Sequence, residues 1–166
     1  MASDFERSFP GASALATECV LNLAFLSGRV EAYGQAVVRT AGVPSLAAFN
    51  VLTILDGDAE PLPPSTIAER MILRRSTMVE IVRSLERRRL IRRFPHPQDG
   101  RMVLLEITAE GRERVSALRP QLHEAERRWM RSLSESEQRS LLRALAKIQA
   151  NPPDADSASA GGRRPQ

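Results

Sequence analysis

The stretch from Thr66 to Gly111, TIAERMILRRSTMVEIVRSLERRRLIRRFPHPQDGRMVLLEITAEG, decides the fold of this 166-residue chain. Two of its threonines, Thr66 and Thr77, are each followed three residues later by a glutamate. This spacing is typical of a capping box at a helix N-terminus, so we predict that each threonine caps a short helix. The two threonines are eleven positions apart, which leaves room for about two helical turns and a tight connection. The stretch therefore predicts a helix-turn-helix.

A β-hairpin is predicted after the second helix. Leu90–Phe94 and Met102–Ile107 are rich in β-branched, aromatic and aliphatic residues, and they flank the polar, proline-containing segment Pro95–Gly100. Two runs of strand-like composition that are joined by a turn-rich segment indicate a hairpin with a long tip.

The segment from Arg74 to Arg89 is amphipathic. Met78, Val82 and Leu85 fall at positions i, i+4 and i+7, with Ile81 beside them, and form the face predicted to pack on the protein. A helix can lie in the major groove of DNA only if its other face offers hydrogen-bonding side chains. That face carries Arg74, Arg75, Ser76, Thr77, Glu80, Arg83, Ser84 and Arg87. We expect base contacts from the N-terminal half, and phosphate contacts or simple solvation from Arg87, Arg88 and Arg89.

Positive charge is concentrated in residues 65–101, which hold ten arginines against four acidic residues, a net charge of +6. The whole chain carries only +4, so the remainder is weakly acidic. A basic block of this kind is typical of a polyanion site. Lys147 is the chain's single lysine, so arginine richness by itself says little about function. The location of the arginines is the stronger observation.

The predicted hairpin offers a second DNA contact. Arg101 lies at the base of a tip that also carries His96 and Gln98, and an arginine inserted into a narrow minor groove is attracted by its negative potential. Asp99 is placed to hold the Arg101 guanidinium. The alternative is that Asp99 and Arg101 form only a weak hairpin ion pair.

At this point the stretch resembles the core of the MarR family. It has the Ile67-Ala68 helix, the helix opened by Ser76-Thr77, the wing with Asp99-x-Arg101 and the closing Ile107-Thr108-x-x-Gly111. The resemblance covers roughly residues 13–150. It implies a homodimeric transcription regulator, with a winged module on each side that reads half of a palindromic operator in double-stranded DNA. One departure is Arg89, where the family usually has glycine, so the local turn geometry cannot be carried over. The candidate DNA-binding residues are Ser65, Thr66, Arg74, Arg75, Ser76, Thr77, Glu80, Arg83, Arg87, Arg93, His96, Gln98, Asp99 and Arg101.

The flanking sequence predicts long helices over residues 13–41 and from Thr108 to about Leu133, a helix capped by Ser45, and a last helix from Ser134 to near Ala150. The fold class is therefore mainly α with a small β-hairpin wing, a winged helix-turn-helix with N- and C-terminal dimerisation helices. The last helices carry more apolar surface than a small module can cover, which independently favours a dimer. We expect a flexible N-terminus (1–12), a dimerisation region (13–44 and 108–150), the DNA-binding domain (45–107) and a disordered tail (151–166).

Two regulatory mechanisms are considered. The resemblance implies a small, often aromatic or anionic effector between the dimerisation helices and the winged module, for which the candidate residues are Arg29, Tyr33, Phe49 and Trp129. Related peroxide sensors instead use a cysteine in the first helix that is held by tyrosines. Here Cys19 has apolar neighbours and Tyr33 is the single tyrosine, so we favour a buried, unreactive cysteine over a redox sensor.

Other functional classes are less consistent with the sequence. It contains no Gly-rich phosphate loop, no His-Glu-x-x-His and no Gly-x-Ser-x-Gly, so we expect neither an enzyme nor a cofactor. One cysteine and two histidines make a structural metal site unexpected. The opening residues resemble neither a signal peptide nor a membrane anchor, which predicts a cytoplasmic protein. A sequence-independent architectural DNA-binding protein remains an alternative, since it would share the basic segment.

Overall fold

The computed structural model describes residues 7–71, 75–99 and 101–151. The chain divides into two compact units, of which the first ends at His123 and the second begins at Glu124. The described residues do not include Arg74. They also leave out the last residues of the expected tail and the first residues of the expected flexible N-terminus. The side chain of Arg75 is not described either, although its backbone is helical.

Helices α1 (Ala14–Thr40) and α2 (Leu46–Gly57) begin at serine caps, as the sequence predicts for the second of them. The Ser45 hydroxyl accepts a hydrogen bond from the Ala48 N–H at 3.0 Å. Between the helices, the Gln35 side chain donates to the Pro44 carbonyl at 3.1 Å and accepts from the Leu46 N–H at 3.2 Å. Because this one amide satisfies two backbone groups of the connection, α1 and α2 are held at a defined turn.

Helices α3 (Pro64–Met71) and α4 (Arg75–Arg87) form the predicted pair, but the predicted caps are wrong. Thr66 and Thr77 each lie within the first turn of their helix instead of in front of it. For α3 the physical reason is Pro64, whose ring presets a helical φ and whose missing N–H is not needed at a first helical position. The helix therefore starts two residues before the threonine.

Strands β1 (Ile91–Pro95) and β2 (Val103–Ile107) form the predicted antiparallel hairpin, with Ile91 opposite Ile107. The Leu62 N–H donates to the Leu105 carbonyl at 3.0 Å and the Leu105 N–H donates to the Leu62 carbonyl at 2.8 Å. This pair of bonds attaches the hairpin to the segment that leads into α3, so the hairpin cannot swing independently at its base.

Helices α5 (Ala109–Met130) and α6 (Glu135–Ala150) complete the described chain. The α5 helix ends three residues before the predicted Leu133. At the start of α6, Ser134 and Glu137 form the reciprocal bonds of a capping box. The side-chain and backbone hydrogen bonds from Ser134 lower the pKa of Glu137, because they stabilise its charged form. Helix α6 is therefore well defined at its N-terminus.

The core of the first unit draws on seven elements, namely α1 to α5 and both strands. Its largest fully buried side chains include Leu52 of α2, Ile67 of α3, Leu85 of α4, Leu105 of β2 and Leu118 of α5. Because each element contributes to one apolar cluster, the two short helices and the hairpin are held against α2 and α5. The architecture is the predicted winged helix-turn-helix, mainly α with a two-stranded wing. None of the described helices is both long enough and apolar enough to span a membrane.

Candidate nucleic-acid interface

Helix α4 has two chemically distinct faces. Met78, Ile81, Val82 and Leu85 are buried, with exposures between 0% and 8%, as the spacing predicts. The opposite face leaves the side chains of Ser76, Thr77, Glu80, Arg83 and Arg87 exposed, while Ser84 is half-buried. Four anchored side chains hold the orientation of a 13-residue helix, so its polar face points to solvent as a preformed surface.

The C-terminus of α4 is closed by a residue in an unusual conformation. Arg89 has φ of +58°, the left-handed region that favours glycine. The Arg89 N–H donates to the Glu86 carbonyl at 2.9 Å and the Leu90 N–H donates to the Leu85 carbonyl at 3.0 Å, the two bonds of a Schellman motif. The chain therefore keeps the turn that glycine usually makes at this position, with an arginine bearing the steric cost.

The Thr108-x-x-Gly111 motif locks this turn against α5. The Thr108 hydroxyl lies 2.8 Å from the Arg89 carbonyl and 3.1 Å from that of Leu90, within donating distance of both. It also accepts from the Gly111 N–H at 3.1 Å, which caps α5. A Cβ on Gly111 would meet the Leu90 carbonyl oxygen at 2.3 Å, so only glycine allows this approach. The motif thus joins the end of α4 to the beginning of α5.

Arg88 has a structural contact within the chain, and its phosphate contact stays a prediction. Its Nη1 donates to the Gly42 carbonyl, 3.2 Å away, in the connection between α1 and α2. Gly42 has φ of +72°, and its carbonyl becomes available because the chain turns there. The end of α4 is therefore tied both to α5, through Thr108, and to the end of α1, through Arg88.

The tip of the hairpin is shaped by its own side chains. The Asp99 carboxylate accepts from the Arg101 backbone N–H at 3.0 Å, and His96 Nδ1 accepts from the Gln98 N–H at 3.1 Å. The expectation that Asp99 holds the Arg101 guanidinium is wrong. The carboxylate instead accepts a hydrogen bond from the backbone N–H two residues later, as in an Asx turn. In the part of the chain that the structure describes, the exposed Arg101 side chain has no ion-pair partner.

A groove of about 600 Å³ runs between α3, α4 and the hairpin. Ser65 of α3, Val79 and Arg83 of α4, and Arg93 and Val103 of the hairpin are among the residues that line it. Ser65 is exposed and Thr66 half-buried. The groove therefore brings together three of the predicted contact residues from three different elements, and apolar side chains line the same groove.

Some arginines of the basic segment are already neutralised. Arg70 forms a two-pronged pair with Asp58, and the hydrogen bond and charge of that carboxylate raise the Arg70 pKa. Arg92 pairs with Glu106, the residue opposite it in the hairpin register. The net charge from sequence therefore overstates the available positive charge. Within residues 65–101, the exposed arginines that have no acidic partner among the described residues are Arg83, Arg87, Arg88, Arg89, Arg93 and Arg101; of these, Arg88 binds the Gly42 carbonyl.

The four candidate effector residues differ in burial. Phe49 is only 6% exposed and belongs to the core, so its expected role as a wall of an open cleft is wrong for this conformation. Tyr33 is 44% exposed on α1, and the Arg29 guanidinium lies 5.7 Å from the ring centroid of Phe25. Trp129 is half-buried in the second unit. Burial of Phe49 follows from its place on the inner face of α2.

Cys19 is exposed in the single chain, so the expectation of a buried thiol is wrong there. Its α1 neighbours Val20 and Leu21 are also exposed, at 63% each. Fourteen residues of helix separate Cys19 from Tyr33, a distance of about 21 Å along the axis. The tyrosine of the same chain therefore cannot contact this thiol.

Sequence reasoning missed two features of the surface. Val79 was assigned to neither face of α4, yet it is 48% exposed beside the polar residues. Its position one residue after the buried Met78 was a usable signal, because the buried stripe continues at Ile81 and Val82 and leaves position 79 outside it. The bonds from Thr108 to the end of α4 join residues that are 18 and 19 positions apart, and no local pattern indicates them.

Comparison with known proteins agrees with this geometry. The MarR family model matches residues 45–103. An HTH-type transcriptional regulator of Mycobacterium tuberculosis is 33% identical over 104 residues, which make up 63% of this chain and 71% of that protein. An uncharacterised HTH-type transcriptional regulator of Mycobacterium bovis matches with the same values. These relatives are regulators of transcription, not enzymes.

Solved structures show the same fold. The PcaV transcriptional regulator from Streptomyces coelicolor, in complex with its natural ligand, superposes with a TM-score of 0.68 at 27% identity, over 84% of this chain and 97% of that one. A MepR–DNA complex of S. aureus superposes with a TM-score of 0.71 at 23% identity, over 79% of this chain and 96% of the other. From the helix-turn-helix, the hairpin, the family match and a 33% identical relative covered over 71% of its length, we conclude that the chain belongs to the MarR family of HTH-type transcriptional regulators.

Proposed function

We propose that the protein is a cytoplasmic, homodimeric repressor that binds a palindromic operator and is released by a small molecule. The observation that carries the DNA-binding part is the polar face of α4, which four buried side chains hold outward. In this proposal Ser76, Thr77, Glu80 and Arg83 meet base edges in the major groove. Arginine donates to guanine O6 and N7, hydroxyls bind base edges or phosphates, and carboxylates accept from cytosine N4. Arg74 and Arg75 stay in the proposal as DNA contacts predicted from the sequence alone, since Arg74 and the Arg75 side chain lie outside the described residues.

The hairpin supplies the second contact in the proposal. Arg101 enters the minor groove, while Arg93, Arg87, His96 and Gln98 approach phosphates or sugars. Support comes from the exposure of the Arg101 side chain and from the Asp99 bond that orders its backbone at 3.0 Å. A guanidinium on an ordered backbone loses less conformational freedom on binding than one on a flexible loop.

A second copy of the chain is the proposed cover for the exposed apolar side chains of α1. Seven large hydrophobic side chains between Leu15 and Tyr33 are 41% to 72% exposed in the single chain, and Leu142 and Ile148 of α6 are 66% and 55% exposed. Monomeric proteins rarely expose contiguous apolar surface of this extent. In a symmetric dimer, two modules about 34–36 Å apart would meet successive major grooves.

The oligomeric state tests this part of the proposal. Phe25→Asp places a charge on the α1 face and should shift the protein from dimer to monomer in sedimentation velocity. Met102→Asp, at an exposed apolar position of the hairpin (39% exposed), should leave the dimer intact. A monomeric wild-type protein at micromolar concentration would contradict the dimer.

The ligand-release part draws on PcaV, which is 27% identical and whose structure contains its natural ligand. A ligand changes DNA affinity only if it prefers one arrangement of the two modules over the other. Tyr33 and Arg29 remain candidates for the ligand site, whereas Phe49 would contribute only after the core rearranges. Operator affinity measured against a panel of aromatic carboxylates tests this, and a panel without effect argues against it.

The deciding experiment is a titration of the purified protein against its own upstream DNA and a scrambled duplex of equal length at physiological salt. A regulator should prefer the upstream DNA by a thousandfold or more. Equal, strongly salt-dependent binding to both duplexes would instead indicate an architectural DNA-binding protein.

A further inference from the structure

Val79 is an exposed aliphatic residue in the middle of a polar surface. Among the described residues of 45–107, only Val79, at 48%, and Met102, at 39%, are large hydrophobic side chains that remain exposed. Both belong to the elements proposed to face DNA. The remaining large aliphatic side chains of α4 are buried at 8% exposure or less. Val79 is therefore not an extension of the core.

The position of Val79 on α4 places it among the proposed base contacts. Ser76 precedes it by three residues and Arg83 follows it by four, so the three side chains lie on one face of the helix. Val79 also lines the groove together with Arg83 and Arg93, neither of which has an acidic partner among the described residues. Two uncompensated guanidinium groups beside an apolar side chain favour a polyanion that also presents an apolar group.

The major groove of DNA presents one apolar group that identifies a base, the C5-methyl of thymine. We propose that Val79 reads this methyl group and so specifies thymine at one position of each half-site. The inference rests on the proposed function, because it requires α4 to lie in the major groove. Ser76, Glu80 and Arg83 carry polar recognition on the same face, and Val79 adds the contact that their hydrogen bonds cannot make.

The expected effect is modest but can be measured. Burial of one methyl-sized group corresponds to about fourfold in affinity, and to about fifteenfold when two half-sites of a dimer are both affected. Replacing thymine by deoxyuridine removes only the methyl group and leaves the Watson–Crick edge intact. The thymine-to-uracil ratio of affinities therefore isolates this contact from all hydrogen bonds.

The test uses the full-length protein and a duplex recovered from a random-sequence library by repeated binding. Each thymine is replaced in turn by deoxyuridine, in one half-site and then in both. The affinity of the wild-type protein should fall about fourfold when the critical thymine is replaced in one half-site, and about fifteenfold when it is replaced in both half-sites. Val79→Ala should bind the thymine duplex correspondingly more weakly and no longer distinguish the two duplexes. Met102→Ala serves as the matched control and should keep the wild-type ratio.

The results separate this inference from the proposed function. If the library yields no preferred sequence, sequence-specific binding itself fails, and the inference fails with it. If a preferred sequence is found but no thymine is sensitive to uracil, or Val79→Ala keeps the full uracil effect, the regulator stands and the role of Val79 is refuted. If Met102→Ala also loses the thymine-to-uracil ratio of affinities, the role of Val79 is refuted as well. Because Val79 is exposed, Val79→Ala should retain the wild-type melting temperature, which shows that the variant is folded.

Discussion

Arg89 is predicted to be a destabilising residue in the native protein. It lies at the C-terminus of α4 with φ of +58°, where an L-residue with a side chain costs roughly 1–2 kcal/mol. Glycine avoids this cost but loses about 0.4–1 kcal/mol more conformational entropy on folding than alanine. The difference leaves Arg89→Gly more stable by about 1 kcal/mol. For a chain of this length that corresponds to a rise in melting temperature of about 2–4 °C.

The comparison variant is Arg89→Ala, which removes the same guanidinium but keeps a Cβ in the left-handed conformation. Any favourable interaction of the Arg89 charge with the end of α4 is lost equally in both variants, so their difference isolates the backbone. Urea denaturation and thermal melting at one fixed protomer concentration give the two free energies of unfolding, since a dimer's stability depends on concentration. Equal stability of the glycine and alanine variants, or a less stable glycine variant, would refute the reasoning.

Three further predictions follow from contacts described above. Gly111→Ala should reduce the free energy of unfolding by about 1–3 kcal/mol, because its Cβ would lie 2.3 Å from the Leu90 carbonyl oxygen. The control is Gly57→Ala, whose Cβ would have no atom within 4 Å. Equal urea midpoints for the two variants would contradict the clash. Asp56→Asn should destabilise by up to about 1 kcal/mol, because two arginines of α5 bind this carboxylate at 2.7 and 3.0 Å; the loss should shrink in 1 M salt, and a salt-independent loss would point to packing instead. Arg101→Ala should weaken operator binding in fluorescence anisotropy and reduce the effect of replacing A·T pairs beside the hairpin, whereas unchanged affinity would exclude a minor-groove contact.

Local patterns were sufficient to predict the order of helices and strands and the buried face of α4, but neither the caps of α3 and α4 nor the exposure of Val79. Met78, Ile81, Val82 and Leu85 repeat at helical spacing, and burial of all four follows directly from that spacing. The run that begins at Ser134 predicted the start of the last helix, and the structure begins this helix at Glu135, with Ser134 as its N-cap. These inferences succeeded because each depends on residues within about two turns of one another, where backbone geometry alone determines which side chains meet.

Tertiary structure decided which arginines bond to other groups of the chain and which remain available to bind DNA. The sequence by itself determined a basic helix-turn-helix with a hairpin, but only the folded chain shows that Asp58 and Glu106 neutralise Arg70 and Arg92. It also shows that Arg88 binds the Gly42 carbonyl, 46 residues away. Ion pairs and side-chain bonds of this kind form between segments that the core brings together, and many different partners are compatible with the same local pattern. Periodicity therefore predicts the buried faces, whereas the set of arginines left for DNA depends on long-range packing.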